Sequence, residues 1–306
     1  MPQFDIIIIG GGPAGLTAGL YAKRAKLNTL LLERSMLGGQ VAYSGPIENY
    51  PGILKTTGLR LAQKMEEQVK KVDLEVVYEE VIGLSSQQSS VKVETEQDVY
   101  TSRSVIAAVG DEAVPLGLKN EKELIGRGVS YCATCDGPLY SGKTVAVVGG
   151  GDSAVTEALY LTKIVKKVHL IHRRDKLRAE KINAERLLKM PNVHPEWNTI
   201  VTRIQGREKI ESLTLEDVKT GDQGQLAVDG LFIYIGRRPF TGFLTNIEKD
   251  QWGYIKVDED MQTSMKAVFA AGDCTSYKWR QIATAIGDGA KAAISAIQYI
   301  EREALS

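Results

Sequence analysis

Two kinds of apolar run organise the chain. Ile6-Ile7-Ile8-Ile9 is an unbroken β-branched stretch, the pattern of a strand covered on both faces in a parallel sheet. It breaks at once into a glycine turn from Gly10 to Gly15, where Pro13 suits the first turn of a following helix. Thr29-Leu30-Leu31-Leu32 predicts the next strand, ending at Glu33. The same order returns later: a strand over 144–148, a glycine turn over 149–154, a helix to about Leu161 and a strand over 168–171. Residues 76–109 and 200–235 carry short strand-like runs with polar turns, and Gly221 and Gly224 mark a hairpin-like break. From Gln281 to Ile300 the period becomes helical, with Ile282, Ile286, Ala290, Ala293, Ile297 and Ile300 on one face. The pattern therefore predicts an α/β fold built on two βαβ units of the Rossmann-like, dinucleotide-binding kind.

Composition excludes more than it selects. At 306 residues the chain is long enough for two domains of ordinary size. Its 38 basic and 38 acidic residues cancel, leaving no general basic surface to displace counterions from nucleic acid. No apolar stretch approaches the roughly 18 residues of a membrane span. Met1-Pro2-Gln3-Phe4-Asp5 lacks the basic start of a secretory signal. The expectation is a cytoplasmic enzyme or binding protein, without membrane or nucleic-acid partners.

The two glycine turns lead to opposite charges. Gly10-x-Gly12-x-x-Gly15 lies between a strand and a helix, so its backbone N–H groups and the helix N-terminus can meet a pyrophosphate. Glu33, at the end of the next strand, can accept hydrogen bonds from ribose hydroxyls. The second turn, Gly149-x-Gly151-x-x-Ala154, is followed at the equivalent place by His172-Arg173-Arg174, with Arg178 beyond. Guanidinium groups grip a phosphate, and a carboxylate would repel it, so this site should prefer NADP(H). The plainer readings are an ordinary loop at the first turn and a solvated charge run at the second. One acidic and one basic site suggest two different dinucleotides, FAD in the first and NADPH in the second.

Cys132-Ala133-Thr134-Cys135 sits just before the second unit, with Asp136 adjacent. Two intervening residues let the thiols close a small disulfide, and a helix start lowers a thiolate's pKa. Asp136 is placed to act as acid or base. A zinc site would need four ligands, but there is no second C-x-x-C, and only Cys274, His169, His172 and His194 remain as soft donors. Two inert core thiols are the other plain alternative. Cys274 itself reads as a buried free thiol.

These residues carry a resemblance. GGGPAG at 10–15, LGGQ at 37–40, IENYPG at 47–52, CATCDG at 132–137, GGGDSA at 149–154, HRRDKLRAEK at 172–181, AGD at 271–273 and RQ at 280–281 resemble the bacterial low-molecular-weight NADPH thioredoxin reductases, from Phe4 to about Ile300. The resemblance implies an NADPH domain over 113–239 inserted into a split FAD domain of 1–112 and 240–306. It places Gly10, Gly12, Pro13, Ala14, Gly15, Glu33, Gly39, Gln40, Asn49, Asp273, Arg280 and Gln281 around FAD. Gly149, Gly151, Asp152, Ser153, Ala154, His172, Arg173, Arg174 and Arg178 would surround NADPH. It also implies a homodimer, thioredoxin or a thioredoxin-like protein as partner, and rotation of the inserted domain about segments near 111–115 and 236–242.

The likeness has gaps. Ala108-Val109-Gly110-Asp111 replaces the family's usual Ala-Thr-Gly-Ala, and Pro138-Leu139 stands where better-known members carry aromatic docking residues. Arg127 matches a basic docking position. The expected route runs from NADPH through FAD to the Cys132–Cys135 disulfide and on to thioredoxin. Rival readings are a ferredoxin-driven relative, an oxygen-reducing dithiol flavoenzyme and a non-catalytic NADP-sensing flavoprotein.

Overall fold

The computed structural model describes residues 3–43, 46–87, 90–275 and 280–305. The chain separates into two compact units, one of residues 1–112 with 238–306 and the other of residues 113–237.

In the first unit a parallel sheet runs in the order Glu75–Val77, Thr29–Leu32, Phe4–Ile9, Val99–Ala107. The strand Val99–Ala107 is long enough to serve two sets of partners. Its first half pairs antiparallel with Ser90–Thr95, which pairs with Val81–Gln87, and its second half pairs in parallel with Val268–Ala270. Alternation along the isoleucine run explains the double cover. Ile6 and Ile8 pack with Leu16, Ala18 and Ala22 of the helix Pro13–Arg24, and Ile7 and Ile9 face the other side with Val91, Val93 and Leu244.

The last helix spans Ile282–Leu305, longer than the pattern predicts, and the centre of its buried face is shifted from the isoleucines toward smaller residues. Of the expected face, Ala293 and Ile300 are buried and Ile286 and Ile297 pack half-buried against the same core, but the burial is centred on Ala285, Gly289, Ala292 and Ala296 beside it. Small side chains take the centre because the helix lies against Pro13–Arg24 at backbone range. A Cβ on Gly289 would fall 2.2 Å from the Ala14 carbonyl oxygen. The isoleucines flank that contact.

In the second unit five parallel strands run in the order Val129–Ser130, Gly230–Tyr234, Thr144–Gly149, Lys167–His172, Val193–Trp197. The helix Asp152–Leu161 covers one face through Ala154, Val155, Ala158 and Leu161. A three-stranded antiparallel layer, Thr199–Gln205, Ser212–Asp217 and Gln223–Ala227, covers the other through Val201, Ile204 and Leu213. Here the hairpin break needs correction. Gly221, at φ +79°, is in the turn, but Gly224 lies within the strand Gln223–Ala227. The turn is set by Asp217, whose Oδ1 accepts from the N–H groups of Lys219 and Thr220.

Candidate functional site

The two glycine turns have the same spatial logic. Gly10 is at φ +103°, and a Cβ there would lie 2.4 Å from the Ala108 carbonyl oxygen. At Gly15 a Cβ would come within 1.8 Å of the Gly10 carbonyl, so helix and turn are in backbone contact. Between them, a Cβ on Gly12 would meet nothing within 4 Å. In the second unit a Cβ on Gly149 would meet the Tyr234 carbonyl at 2.4 Å, a Cβ on Gly151 would meet nothing, and Ala154 is buried beneath. Each turn is thus closed at its ends by packing and open at its middle glycine. There the bare backbone is accessible to an incoming anion, next to the start of the helix Pro13–Arg24 or Asp152–Leu161.

Around the first turn, Glu33 has a role that its spacing did not suggest. It is buried, its Oε2 accepts from the Gly11 N–H at 2.6 Å, and its Oε1 accepts from the Ser35 N–H at 2.8 Å. Oε1 also accepts from the Ser35 hydroxyl at 3.3 Å, so the carboxylate holds the turn while Oε2 keeps a second lone pair. The LGGQ segment is anchored to the same turn, since the Gly38 N–H donates to the Gly11 carbonyl at 2.8 Å and a Cβ on Gly39 would approach Gly12 to 3.1 Å. Gln40 is exposed beside it. A Cβ on Gly272 would lie 3.0 Å from the Ala14 Cβ, which brings the AGD turn and Asp273 to the start of the helix Pro13–Arg24. The Asn49 amide donates to the Gln281 side chain at 3.2 Å, joining two motifs 232 residues apart. Arg280 pairs with the buried Asp111 at 3.5 Å. One part of the site was not anticipated: Arg34 lies 3.9 Å over the Phe240 ring, and both line a recess beside Gly10 with Leu32, Val81 and Val109.

Around the second turn, Arg173, Arg174 and Arg178 are exposed, and the Arg178 N–H donates to the Gly150 carbonyl at 2.6 Å. Exposed Asp152 accepts from the Glu180 N–H at 2.7 Å, and Ser153 is exposed next to it. His172 is placed differently from its arginine neighbours. It is buried with its ring under Gly150, where a Cβ would touch it at 2.3 Å, and its Nε2 has no hydrogen-bond partner among the described residues. Burial lowers its pKa, opposed by a hydrogen bond with the Lys176 backbone and reinforced by the charges of Arg178, Arg174 and Arg173.

Cys132 and Cys135 are joined by a disulfide. Cys132 precedes the short helix Ala133–Asp136, and its sulfur accepts from the Cys135 N–H at 3.2 Å. Its own N–H donates to the Ser130 hydroxyl at 3.0 Å. Cys135 is exposed, Asp136 is half-buried, and Pro138 and Leu139 are exposed just beyond. Behind the turn, the Tyr131 hydroxyl donates to buried Glu121, which also accepts from the N–H groups of Leu116, Gly117 and Leu118. Cys274 is fully buried, hydrogen-bonded to the Ala271 carbonyl at 3.3 Å, and burial pushes its thiol up to about 12.

A fold of two glycine-turn units carrying one exposed disulfide defines a class of redox protein, and comparison with known families bears this out. Residues 4–289 match the pyridine nucleotide-disulphide oxidoreductase family, and the chain belongs to that family. It is 45% identical over 300 residues to a thioredoxin reductase of Treponema pallidum, covering 98% of each chain. It is 44% identical to the Bacillus subtilis thioredoxin reductase, covering 97% of this chain and 95% of that one. Among solved structures, the Lactococcus lactis thioredoxin reductase in its FR conformation superposes with a TM-score of 0.95 at 41% identity, covering 98% of this chain and all of that one.

Proposed function

We propose that the chain is an NADPH-dependent thioredoxin-disulfide reductase. The observation that carries the reading is a closed Cys132–Cys135 disulfide on an exposed turn, in the same compact unit as a glycine turn flanked by exposed Arg173, Arg174 and Arg178. The unit of residues 113–237 is the NADPH domain, and the unit completed by residues 238–306 is the FAD domain.

The residues fit both groups. At the first turn, open Gly12 and the N–H groups of Pro13–Arg24 suit the FAD pyrophosphate, with Gly10, Pro13, Ala14 and Gly15 shaping the cradle. Glu33 Oε2 has a lone pair left for a ribose hydroxyl, and the Arg34–Phe240 recess takes the adenine end. Gly39, Gln40, Asn49, Asp273, Arg280 and Gln281 lie toward the rest of the cofactor. At the second turn Gly149, Gly151, Asp152, Ser153 and Ala154 receive NADPH, Arg173, Arg174 and Arg178 select its 2′-phosphate, and His172 supports the turn from beneath. When bound, the flavin allows two-electron traffic between a nicotinamide and a disulfide.

The chain's own part is sulfur chemistry. The Cys132–Cys135 bond takes up two electrons and two protons and opens to a dithiol. One thiol, as thiolate, attacks a sulfur of the thioredoxin disulfide, giving a mixed disulfide and a thioredoxin thiolate that is then protonated. The second cysteine attacks the first sulfur, re-forms Cys132–Cys135 and releases the other thioredoxin sulfur as a thiol. Asp136 holds or yields the proton at the opening bond. Exposed Arg127 and Leu139 flank the approach of a partner that, with these side chains, is acidic and apolar rather than strictly aromatic-seeking. The enzyme works as a homodimer in the cytoplasm.

The test is NADPH oxidation by the purified yellow protein with and without thioredoxin, with NADH in parallel and peroxide measured. Turnover that needs thioredoxin and releases no peroxide is expected. Undiminished thioredoxin reduction by Cys135→Ser overturns the dithiol route, and a colourless protein that takes up no flavin overturns the whole assignment.

A further inference from the structure

The amides inside the disulfide turn face a small, half-buried cluster of polar side chains that no recognised motif accounts for. The Ala133 N–H donates to the Tyr234 hydroxyl at 2.7 Å. On the neighbouring helix, Glu157 accepts from the Thr134 hydroxyl at 3.4 Å and faces the Thr134 and Ala133 N–H groups. Both residues between the two cysteines thus present their amides to one carboxyl and one phenol. Burial pushes the Glu157 carboxyl up to about 7, opposed by the hydrogen bonds of Thr134 and Ala133. The Tyr234 phenol is raised by burial first and then by Glu157, so it stays neutral. Two other charged groups act on this cluster: Asp136, at the end of the dithiol turn, and Arg237, just past the strand that carries Tyr234.

We propose that Glu157 is a positioning residue of the redox dithiol, acting through the Ala133 and Thr134 amides to set how easily Cys132 and Cys135 ionise once the disulfide is open. The inference rests on reading Cys132–Cys135 as the redox centre. Amides at the start of a helical turn are the donors that stabilise a thiolate. A neutral Glu157 adds no charge behind the turn, where the Ala133 N–H is held by the Tyr234 hydroxyl and the Cys135 N–H by the Cys132 sulfur. An ionised Glu157 pulls on the amides it faces and adds a like charge behind the turn, so thiolate formation becomes harder as the carboxyl loses its proton.

The test is the rate of iodoacetamide alkylation against pH, on the intact flavoprotein reduced with dithiothreitol and freed of it. Buried Cys274 stays silent. The parental protein is expected to show a slope break near pH 7, and Glu157→Gln a single titration step with alkylation at pH 8 about three- to tenfold faster. Asp136→Asn shifts the rates but keeps the break. An unchanged profile in Glu157→Gln, or a break lost in Asp136→Asn instead, overturns the proposal. If Glu157→Gln does not fold, a parental profile without a break overturns it equally. If NADPH fails to open the disulfide while the two profiles still separate, the electron donor has been misassigned and the role of Glu157 stands.

Discussion

Gly287 and Gly289 sit two residues apart in the helix Ile282–Leu305, and the same substitution should act on them with opposite sign. A Cβ on Gly287 would meet nothing within 4 Å. Gly287→Ala therefore keeps only the gain of replacing glycine in a helix, about 1 kcal/mol. At Gly289 the new carbon would sit 2.2 Å from the Ala14 carbonyl oxygen, where the obstacle is backbone and cannot rotate away. The helix must move by about 1 Å to restore ordinary contact, and overpacking of that kind costs up to about 3 kcal/mol, against the same gain of about 1. The net for Gly289→Ala is a loss of about 2 kcal/mol. In a unit of this size each kcal/mol moves the midpoint by about 2–4 °C, so the melting temperatures should separate by roughly 6–12 °C. Thermal melting by circular dichroism on both variants and the parent is the assay. Because Ala14 begins the helix behind the first glycine turn, flavin content after gel filtration should fall for Gly289→Ala alone. If Gly289→Ala melts at or above Gly287→Ala, the account of why small residues centre this helix is wrong.

Other consequences are equally direct. Burial holds the Cys274 thiol protonated until pH approaches about 12, so native oxidised protein at pH 8 should show no titratable thiol with a disulfide reagent, the reduced protein two, and only denaturant the third. Arg173→Ala combined with Arg174→Ala should raise the KM for NADPH by about tenfold or more while leaving that for NADH nearly unchanged, read by initial rates. Arg280→Ala removes the cation 3.5 Å from the buried Asp111 carboxylate and should cost about 2 kcal/mol, while Asp111→Asn in the same protein recovers most of it, read by denaturant melts.

The strands and glycine turns were legible because their signals are local. A β-branched run that ends in glycines carries its own instructions, and the open middle position of each turn follows from a residue type at fixed spacing. The inward turn of His172 was legible in principle. It shares the strand face of Leu170, which packs under the helix Asp152–Leu161, whereas Arg173 begins the exposed stretch. The apolar face of the last helix was legible through Ala293 and Ile300, but its centre at Ala285, Gly289, Ala292 and Ala296 was not, because hydrophobicity marks what prefers burial, not how closely two backbones meet. Contacts such as Glu121 with Tyr131, Thr134 with Glu157, and Asp111 with Arg280 join residues at no characteristic spacing. Only the assembled sheets bring them within reach, and no window along the chain contains both partners of the longest.

The late return of the chain to its first unit has a bearing on how the protein is made. On the ribosome, the inserted segment emerges whole while its host still lacks the strand Val268–Ala270 and the helix Ile282–Leu305. Until those arrive, Pro13–Arg24 packs on the first strand through Leu16, Ala18 and Ala22 but lacks its other cover, the helix that brings Gly289 against Ala14. A nascent chain stalled after residue 237 would therefore carry a finished guest in an unfinished host, with an open apolar groove as the surface that chaperones meet.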